Sequence, residues 1–263
     1  MDAMELSGVM GTMLLPLMGR YTESKRADGL IRDDKCVEIV EKNGIDLVDI
    51  EKTQHPLSRL AWVARAWNTD EELRALLADG NATALCLGCG LDTAYYRAGR
   101  KAARWYDMDL PPVIEVRRKL IGEEAPCVMI AGDALDKASY EDIRISGRLV
   151  VLAMGLLCYL AADEAARVTS IVSELSDDVT LVCDYFSQKG VEVGNSMVVK
   201  GKGAPMIWHV NSAGAIAAMR QGARVLDDYP LFSRIMPRLS GAEAAMAAQS
   251  DAMRIESMAV LRL

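Results

Sequence analysis

Histidine is scarce in this sequence, and the spacings typical of metal sites are missing. Neither of the two histidines, His55 and His209, falls in a motif that ends a predicted strand. The one C-x-x-C pair, Cys86 and Cys89, has no second such pair or histidine pair to complete a zinc site. Cys86 also lies inside the apolar run "ALCL", whereas thioredoxin-like dithiols begin a helix. We therefore predict neither a metal site nor a redox dithiol.

Long apolar runs and an excess of positive charge are missing as well. Without a stretch of about 18 uncharged apolar residues, no membrane span is predicted. The first residues carry acids where a secretory signal has lysines, and Gly11 and Pro16 interrupt their apolar part. A net charge of -7 and a pI near 5.0 disfavour nucleic acid as a partner. The six cysteines mostly sit in apolar runs, so we expect a cytoplasmic protein in a reducing compartment.

From about Thr83 onward, short apolar runs alternate with amphipathic segments. The runs recur roughly every 20 to 30 residues, as βαβ units do. Strands that are apolar on both faces are expected where helices cover both sides of a parallel sheet. The pattern therefore predicts an α/β fold with a doubly wound, Rossmann-like sheet. The predicted strands are Thr83–Leu87, Ala103–Asp109, Cys127–Asp133, Arg148–Gly155 and Val179–Phe186.

The two ends of the chain differ from this repeat. Residues 1–80 contain helical stretches but no clear strand, which predicts a helical N-terminal cap beside the sheet. Residues 81–263 form the predicted α/β core, in which a looser insertion around 186–211 would shape the substrate pocket and "SMAVLRL" would supply a last strand. A helix is predicted at "SAGAIAAMRQG", between the insertion and the last strand. One domain over residues 1–263 is expected for a chain of this length.

The segment "CLGCGLD" follows the first strand and precedes a helix. Gly88 and Gly90, on either side of Cys89, would turn the backbone at the carboxyl end of that strand, where open α/β sheets bind ligands. An ordinary βα turn explains the same letters. Dinucleotide sites need a third glycine where this chain has Thr93, which disfavours a nicotinamide enzyme. Asp92 instead places an acid in the loop, suited to a ligand that carries positive charge as well as a carboxylate.

Two aspartates, Asp107 and Asp109, end the second strand on one side of the extended chain. Asp109 lies 21 residues after Gly88, close to the spacing at which an acid accepts hydrogen bonds from both ribose hydroxyls. A solvated acid or a helix N-cap is the alternative, above all for Asp107. Asp133 repeats the geometry on the third strand.

Several motifs in a fixed order resemble one family. They are "LLPLMGR", "WVARAW", "LCLGCGLDTAYYR", "WYDMDLP", "AGDALD" and "LAMGLLCYL". Together they are similar to the leucine carboxyl methyltransferase family, especially its bacterial branch of tetracenomycin-type polyketide O-methyltransferases. The resemblance implies the class I methyltransferase fold, a seven-stranded, mostly parallel sheet with an antiparallel last strand, and S-adenosylmethionine as cofactor.

The resemblance also implies roles for individual residues. Arg65 in "WVARAW" matches the arginine that meets the methionine carboxylate of the cofactor, although a solvated helix charge is the alternative from sequence alone. The loop Gly88–Gly90 matches the glycine loop of the family. Asp109 matches the ribose-binding acid. Asp133 and Ala134 match the pair beside the adenine.

One position departs from the family pattern. The family commonly has a glutamate in the fourth-strand motif where this chain has Met154, followed by Gly155. Methionine is a poor hydrogen-bond acceptor, so either neighbouring groups replace that contact or cofactor binding is weaker. The lysine that the family carries near its N-terminus corresponds to Lys25 in "ESKRAD".

The acceptor decides which further groups the reaction needs. A carboxylate, with a pKa of about 4, is ionised at neutral pH, whereas a phenol with a pKa near 10 gains from a general base. Because histidine is scarce, a carboxylate acceptor requires fewer additional groups. Arg20 and Tyr159 are candidates for orienting it; a surface arginine and a buried core tyrosine are the alternatives.

We therefore predict an S-adenosylmethionine-dependent O-methyltransferase that acts on a carboxylate, or a phenol, of a small metabolite such as a polyketide. A degenerate cofactor-binding protein without methyl transfer is one alternative, motivated by Met154. A nicotinamide-dependent reductase is another. The sequence does not fix the oligomeric state and leaves a homo-oligomer open.

Overall fold

A seven-stranded sheet forms the centre of the protein. The computed structural model describes residues 9–197 and 204–263. The sheet order is β3-β2-β1-β4-β5-β7-β6. Strands β1 to β5 are parallel, and β7 is antiparallel to both of its neighbours. The predicted fold is confirmed. The strands are β1 (Ala82–Leu87), β2 (Arg104–Asp109), β3 (Cys127–Ala131), β4 (Arg148–Ala153), β5 (Val179–Phe186), β6 (Arg224–Pro230) and β7 (Glu256–Arg262).

Helices precede the sheet and connect its strands. Helices α1 to α4 come before β1, in the part of the chain for which a helical cap is predicted. The helices of the described residues are α1 (Val9–Ser24), α2 (Asp34–Lys42), α3 (Val48–Thr53), α4 (Pro56–Leu76), α5 (Ala94–Arg97), α6 (Pro111–Leu120), α7 (Ala162–Ser173), α8 (Gln188–Met197), α9 (Ala213–Ala217) and α10 (Gly241–Ala252).

Two hydrophobic cores lie on the two faces of the sheet. Along β1, Ala84 and Cys86 belong to the core that α1, α2, α4 and α6 share. Leu85 and Leu87 belong to the core on the other face, with α7 and α9. Successive side chains of a strand point to opposite faces, so a strand buried on both faces is apolar throughout. Burial on both faces explains why these strands appear in the sequence as apolar runs.

Local signals fix the ends of several helices. Helix α6 begins at Pro111, because proline suits the first turn of a helix. Its chain reverses at Gly122, whose φ of +77° is in the left-handed region. Asp33 caps α2 by accepting a hydrogen bond from the Cys36 N–H at 2.9 Å. Helix α2 then packs against α1, and α6 packs against β2 and β3.

Some elements differ from the sequence prediction. The third and fourth strands end at Ala131 and Ala153, which leaves Asp133 and Met154 in the following loops. The predicted helix "SAGAIAAMRQG" is helical only over Ala213–Ala217. Strand β6 and helix α10 had no prediction: four residues of the edge strand β6 are exposed, and α10 is rich in alanine. Neither therefore shows a clear apolar period. Within the predicted insertion, residues 198–203 lie outside the described residues.

Strand β1 is the point at which the strand order reverses. It pairs with β2 on one side and with β4 on the other. Open α/β sheets bind ligands in the crevice at the carboxyl ends of strands at such a point. Among the helices of residues 9–197 and 204–263, none is long and apolar enough to cross a membrane.

Candidate active site

A cavity of about 410 Å³ opens at the carboxyl ends of β1, β2 and β4. Helices α1, α4 and α8 contribute further walls. Most residues singled out from the sequence line it, and Lys25 does not. Those that do are Arg20, Arg65, Gly88, Cys89, Gly90, Asp92, Asp109, Asp133, Ala134, Met154 and Tyr159.

Gly88 and Gly90 turn the chain sharply between β1 and α5. Their φ angles of +62° and +46° are in the left-handed region, which glycine occupies without strain. A Cβ atom on Gly88 would lie 3.1 Å from the Leu156 side chain, in the loop after β4. The Cys89 N–H donates to the Met108 carbonyl at 3.2 Å, so the loop is held against β2. A loop of this shape lets a ligand approach the backbone closely.

Both aspartates of β2 hold this loop. Asp109 Oδ2 accepts from the Gly90 N–H at 2.8 Å, and Asp109 Oδ1 accepts from the Leu110 N–H at 2.8 Å. Asp107 is buried and pairs with Arg117, whose Nη1 donates to the Gly90 carbonyl at 2.9 Å. Burial raises the pKa of Asp109, against the two backbone donors that lower it. Asp109 lines the cavity with an acceptor group, whereas Asp107 is neither solvated nor an N-cap.

Asp92 joins a buried network of ionised groups under α1. Its Oδ1 accepts from the Ala94 N–H at 2.7 Å and from Arg97 Nη1 at 3.0 Å. Arg97 also pairs with Asp33 at 3.1 Å and with Asp70 at 2.9 Å. Burial alone would raise the pKa of Asp92. The guanidinium groups of Arg97 and Arg20 outweigh this effect and hold that pKa well below its usual range. Asp92 thus borders the cavity while it also fixes the start of α5.

Asp133 and Ala134 lie in the turn after β3. Asp133 Oδ1 accepts from the Leu135 N–H at 2.9 Å, and the Asp133 N–H donates to Ser139 Oγ at 3.0 Å. The Ala134 carbonyl accepts from the Tyr140 hydroxyl at 2.8 Å. These bonds hold the turn rigidly at the cavity rim.

Arg65 on α4 meets two carboxylates from distant strands. Glu256 Oε1, at the start of β7, accepts from Arg65 Nε at 3.0 Å and from Nη2 at 2.8 Å. Asp184 Oδ2 on β5 lies 3.0 Å from Arg65 Nε, and Asp184 Oδ1 accepts from the Gly155 N–H at 2.7 Å. Burial opposes the charge on the guanidinium, yet the two carboxylates raise the pKa of Arg65. Burial, together with the nearby Asp184, raises the pKa of Glu256 to about 7. Arg65 is therefore not a solvated helix charge.

Met154 and Tyr159 follow β4. Met154 is half-buried and packs against both hydrophobic cores. Tyr159 ends a short 3₁₀ helix, Leu157–Tyr159, and its hydroxyl makes no hydrogen bond within the described residues. Burial raises the pKa of Tyr159, which keeps the hydroxyl protonated at neutral pH. Its hydroxyl can donate a hydrogen bond to a group in the cavity.

Arg20 and Lys25 of the N-terminal helix have other partners. Arg20 is buried, its Nε donates to Asp33 at 3.0 Å, and its Nη2 donates to the Leu91 carbonyl at 2.8 Å. These bonds tie α1 to the glycine loop, so Arg20 is not a surface arginine. Lys25 is exposed, and its Nζ donates to Glu41 at 2.7 Å. That position, outside the cavity, does not support direct contact between Lys25 and a cofactor.

The C-x-x-C pair consists of buried free thiols. Cys86 and Cys89 line the cavity but are buried and form no disulfide. Burial raises the pKa of both thiols well above the usual value, which suppresses the reactive thiolate form. Among the side chains that the structure describes, no group of three or more histidines, cysteines or acids could hold a metal ion.

Comparison of the sequence with models of known protein families identifies the family of this chain. The model of the family described as leucine carboxyl methyltransferase matches residues 14–173, more than half of the chain. The chain belongs to the leucine carboxyl methyltransferase family. It is therefore an S-adenosylmethionine-dependent methyltransferase, as the motifs predict.

Comparison with individual proteins agrees with this assignment. The tetracenomycin polyketide synthesis O-methyltransferase TcmP of Streptomyces glaucescens is 22% identical over 233 residues, which are 88% of this methyltransferase and 86% of TcmP. A protein of Thermobifida fusca, provisionally assigned as a methyltransferase, has a TM-score of 0.62 at 14% identity, over 97% of this chain and 94% of its own. Magnesium protoporphyrin IX methyltransferase of Synechocystis, with bound S-adenosylhomocysteine (SAH), has a TM-score of 0.51 at 13% identity. The match covers 87% of this chain and 93% of that protein. The two structures share the fold.

Sequence reasoning about this methyltransferase missed Asp184 and Glu256. Asp184 is an acid inside the otherwise apolar run "VTLVCDYF", and that exception is a usable signal. Glu256 directly precedes "SMAVLRL" and has no comparable signal, because an acid at the start of a strand is ordinary. Only the pairing of β5 with β7, which sets Glu256 opposite Phe186, brings the acid to the cavity.

Proposed function

We propose that the chain transfers the methyl group of S-adenosylmethionine to an oxygen of a small, largely apolar metabolite, and that this oxygen belongs to a carboxylate. One observation carries the proposal: a single cavity contains both the glycine loop and an apolar wall, beside which the Tyr159 hydroxyl makes no hydrogen bond within the described residues. TcmP, by its name an O-methyltransferase of polyketide synthesis, supports a polyketide-like acceptor.

The residues around the glycine loop fit the cofactor. Gly88 and Gly90 leave no Cβ atoms beside the loop backbone, and the half-buried Asp109 offers carboxylate lone pairs to the ribose hydroxyls. Arg65 Nη1 makes no hydrogen bond within the described residues, while Nε and Nη2 are fixed by acids. That leaves one donor edge for the methionine carboxylate. Asp133, with Ala134, would border the adenine.

The other part of the cavity suits an apolar acceptor. Phe186, Val193 and Met206 line it, and the Tyr159 ring stands beside them. Phe186 and Met206 are buried in one cluster with Cys158. This region belongs to the predicted pocket insertion around residues 186–211. An aromatic or polyketide-like body would bury its surface there, and Tyr159 would donate to its oxygen.

The lining of the cavity favours a carboxylate acceptor over a phenol. Neither histidine nor lysine is among the described lining residues. Asp109 accepts two backbone hydrogen bonds, and Glu256 is bound to Arg65, so neither is free to act as a base. A carboxylate reacts in its ionised form and needs no base. The protonated Tyr159 hydroxyl can orient it.

When bound, the cofactor supplies a methyl group on a positively charged sulfur. The chain itself has to align the acceptor oxygen with that methyl group and keep water out. Helix α1 contributes to the exclusion of water, because Met13 and Pro16 line the cavity and Arg20 binds the carbonyl of Leu91 in the glycine loop. Tyr159 would fix the direction of approach.

The decisive experiment has a binding part and a transfer part. Mass spectrometry of the denatured protein, and calorimetry with S-adenosylhomocysteine, would establish cofactor binding. Methyl transfer is then assayed on paired aromatic acceptors that differ only in carrying a carboxylate or a phenol. We expect transfer to the carboxylate member, with Tyr159→Phe lowering kcat while leaving S-adenosylhomocysteine affinity unchanged.

Other outcomes would decide against parts of the proposal. Transfer to the phenol member alone would overturn the carboxylate acceptor. Tight cofactor binding without transfer over a broad panel would favour a degenerate, binding-only protein. Absence of any cofactor binding would refute the proposed site as a whole.

A further inference from the structure

Two acidic side chains, Asp184 and Glu256, surround the single cationic side chain of Arg65. Arg65, Asp184 and Glu256 have side chains that are 16%, 1% and 7% exposed. One guanidinium therefore faces two carboxylates in a place largely closed to water. A buried excess charge is costly unless a proton or a cation compensates it.

Among the residues that the structure describes, no other group beside this cluster supplies a compensating positive charge. Besides Arg65 from α4 and Asp184 from β5, the titratable groups that face Glu256 are Cys158 and Tyr159 after β4. Burial raises the pKa of both Cys158 and Tyr159, so they stay neutral. Burial also raises the pKa of Glu256 to about 7, against Arg65, which lowers it. The excess negative charge of the cluster can therefore be balanced either by a proton on Glu256 or by a cationic group of a ligand.

Glu256 is the acid that lines the cavity beside Arg65. The other lining acids lie elsewhere: Asp92 and Asp133 are in the loops after β1 and β3, and Asp109 ends β2. Met154, where the family commonly has a glutamate, lines the same cavity but is a poor hydrogen-bond acceptor. An α-amino acid carries its ammonium and its carboxylate on one carbon atom. A ligand whose carboxylate meets Arg65 therefore brings its ammonium group towards Glu256.

We propose that Glu256, from the start of β7, binds the α-ammonium group of the methionine part of S-adenosylmethionine, where Met154 offers no acceptor. Asp184 positions Arg65 and keeps the cluster one negative charge in excess. The inference rests on the proposed function in taking this cavity as the cofactor site and Arg65 as the partner of the methionine carboxylate. It assigns a ligand to a strand on which the sequence motifs place none.

Calorimetry of Glu256→Gln tests the proposal directly. Three ligands are compared: S-adenosylhomocysteine, its analogue with hydrogen in place of the α-amino group, and 5′-methylthioadenosine, which lacks the amino-acid part. Loss of a charge-assisted hydrogen bond should weaken S-adenosylhomocysteine binding about 10- to 100-fold. Affinity for the other two ligands should stay within about twofold of the wild type, which also shows that the variant is folded.

Glu72→Gln is the matched control. Glu72 also pairs with a partly buried arginine, Arg234, and accepts from the Tyr229 hydroxyl, but it lies outside the cavity. Its replacement should leave all three affinities unchanged. If Glu72→Gln lost as much affinity for S-adenosylhomocysteine as Glu256→Gln, the loss would come from lower protein stability and not from a missing ligand contact.

The pH dependence separates ligand contact from a structural role. For the wild type, S-adenosylhomocysteine affinity should rise between pH 6 and 7.5 as Glu256 loses its proton. Asp184→Asn removes the neighbouring charge that raises the pKa of Glu256, so the same rise should move to lower pH. Glu256→Gln should show no such rise.

The outcomes are distinct. Unchanged S-adenosylhomocysteine affinity in Glu256→Gln, or equal losses for the ligands with and without the amino group, would overturn the role of Glu256 and leave the proposed function standing. If the wild type bound none of the three ligands, the proposed function would fail instead.

Discussion

Replacing Arg65 by methionine should destabilise the protein strongly. The substitution removes two hydrogen bonds to Glu256, at 3.0 and 2.8 Å, and the ion pair with Asp184 at 3.0 Å. Two carboxylates that are 1% and 7% exposed then lack their cation. Removing one partner from a buried pair typically costs about 3 to 5 kcal/mol of unfolding free energy. We expect a loss in this range at pH 8.

The loss should become smaller as the pH falls. Arg65 lowers the pKa of Glu256, so its removal raises that pKa above about 7, and the unfolded value is about 4.3. The folded variant then binds more protons than the unfolded chain, and its stability rises as the pH decreases from 8 towards 5. The stability that this proton uptake contributes is fully present below the unfolded pKa and is lost as the pH rises through the folded pKa.

Urea unfolding at pH 8 and pH 6 measures both effects. Arg59→Met is the control on the same helix, because Arg59 pairs with Glu51 at the surface and should contribute less than about 1 kcal/mol. Combining Arg65→Met with Glu256→Gln should recover part of the loss, as a double-mutant cycle would show. A deficit below about 1 kcal/mol, or one independent of pH, would refute the buried charge cluster.

Three further predictions concern the cavity wall. Asp109→Ala should weaken S-adenosylhomocysteine binding about 10- to 100-fold in calorimetry, because it removes a half-buried carboxylate acceptor and leaves the Gly90 N–H without its partner. Unchanged affinity would contradict the ribose role. Arg117→Met should lower both cofactor affinity and unfolding free energy, the latter by about 3 kcal/mol or more, because it leaves Asp107 unpaired. The six buried cysteines should react with a thiol reagent only after unfolding in urea; a fast native thiol would contradict their burial.

The sequence predicted the central strands and the glycine loop well. Their signals are local: strands β1 to β5 are apolar runs, and the loop needs glycine for its left-handed φ angles. The residues of the loop were found for the same reason. Edge strand β6 escaped prediction because water on its exposed side removes the apolar pattern.

The partners of the charged residues were not predictable in this way. Arg20 was expected to orient a substrate, but the structure commits it to Asp33 and the Leu91 carbonyl, and its part in substrate binding stays a prediction. Lys25 donates to Glu41 outside the cavity, and its part in cofactor binding also stays a prediction. A charged side chain carries the same letter whether it binds a ligand or another residue, so only its neighbours decide.

By itself the sequence determined the class of fold, the family motifs and the residues of the glycine loop, because each depends on short-range periodicity or on the conformational demands of single residues. The tertiary structure decided the charge balance of the cavity. Arg65 and Glu256 are 191 residues apart in the chain and meet only because β7 inserts beside β5. Burial and proximity set the pKa of such groups, and both arise from packing between distant segments.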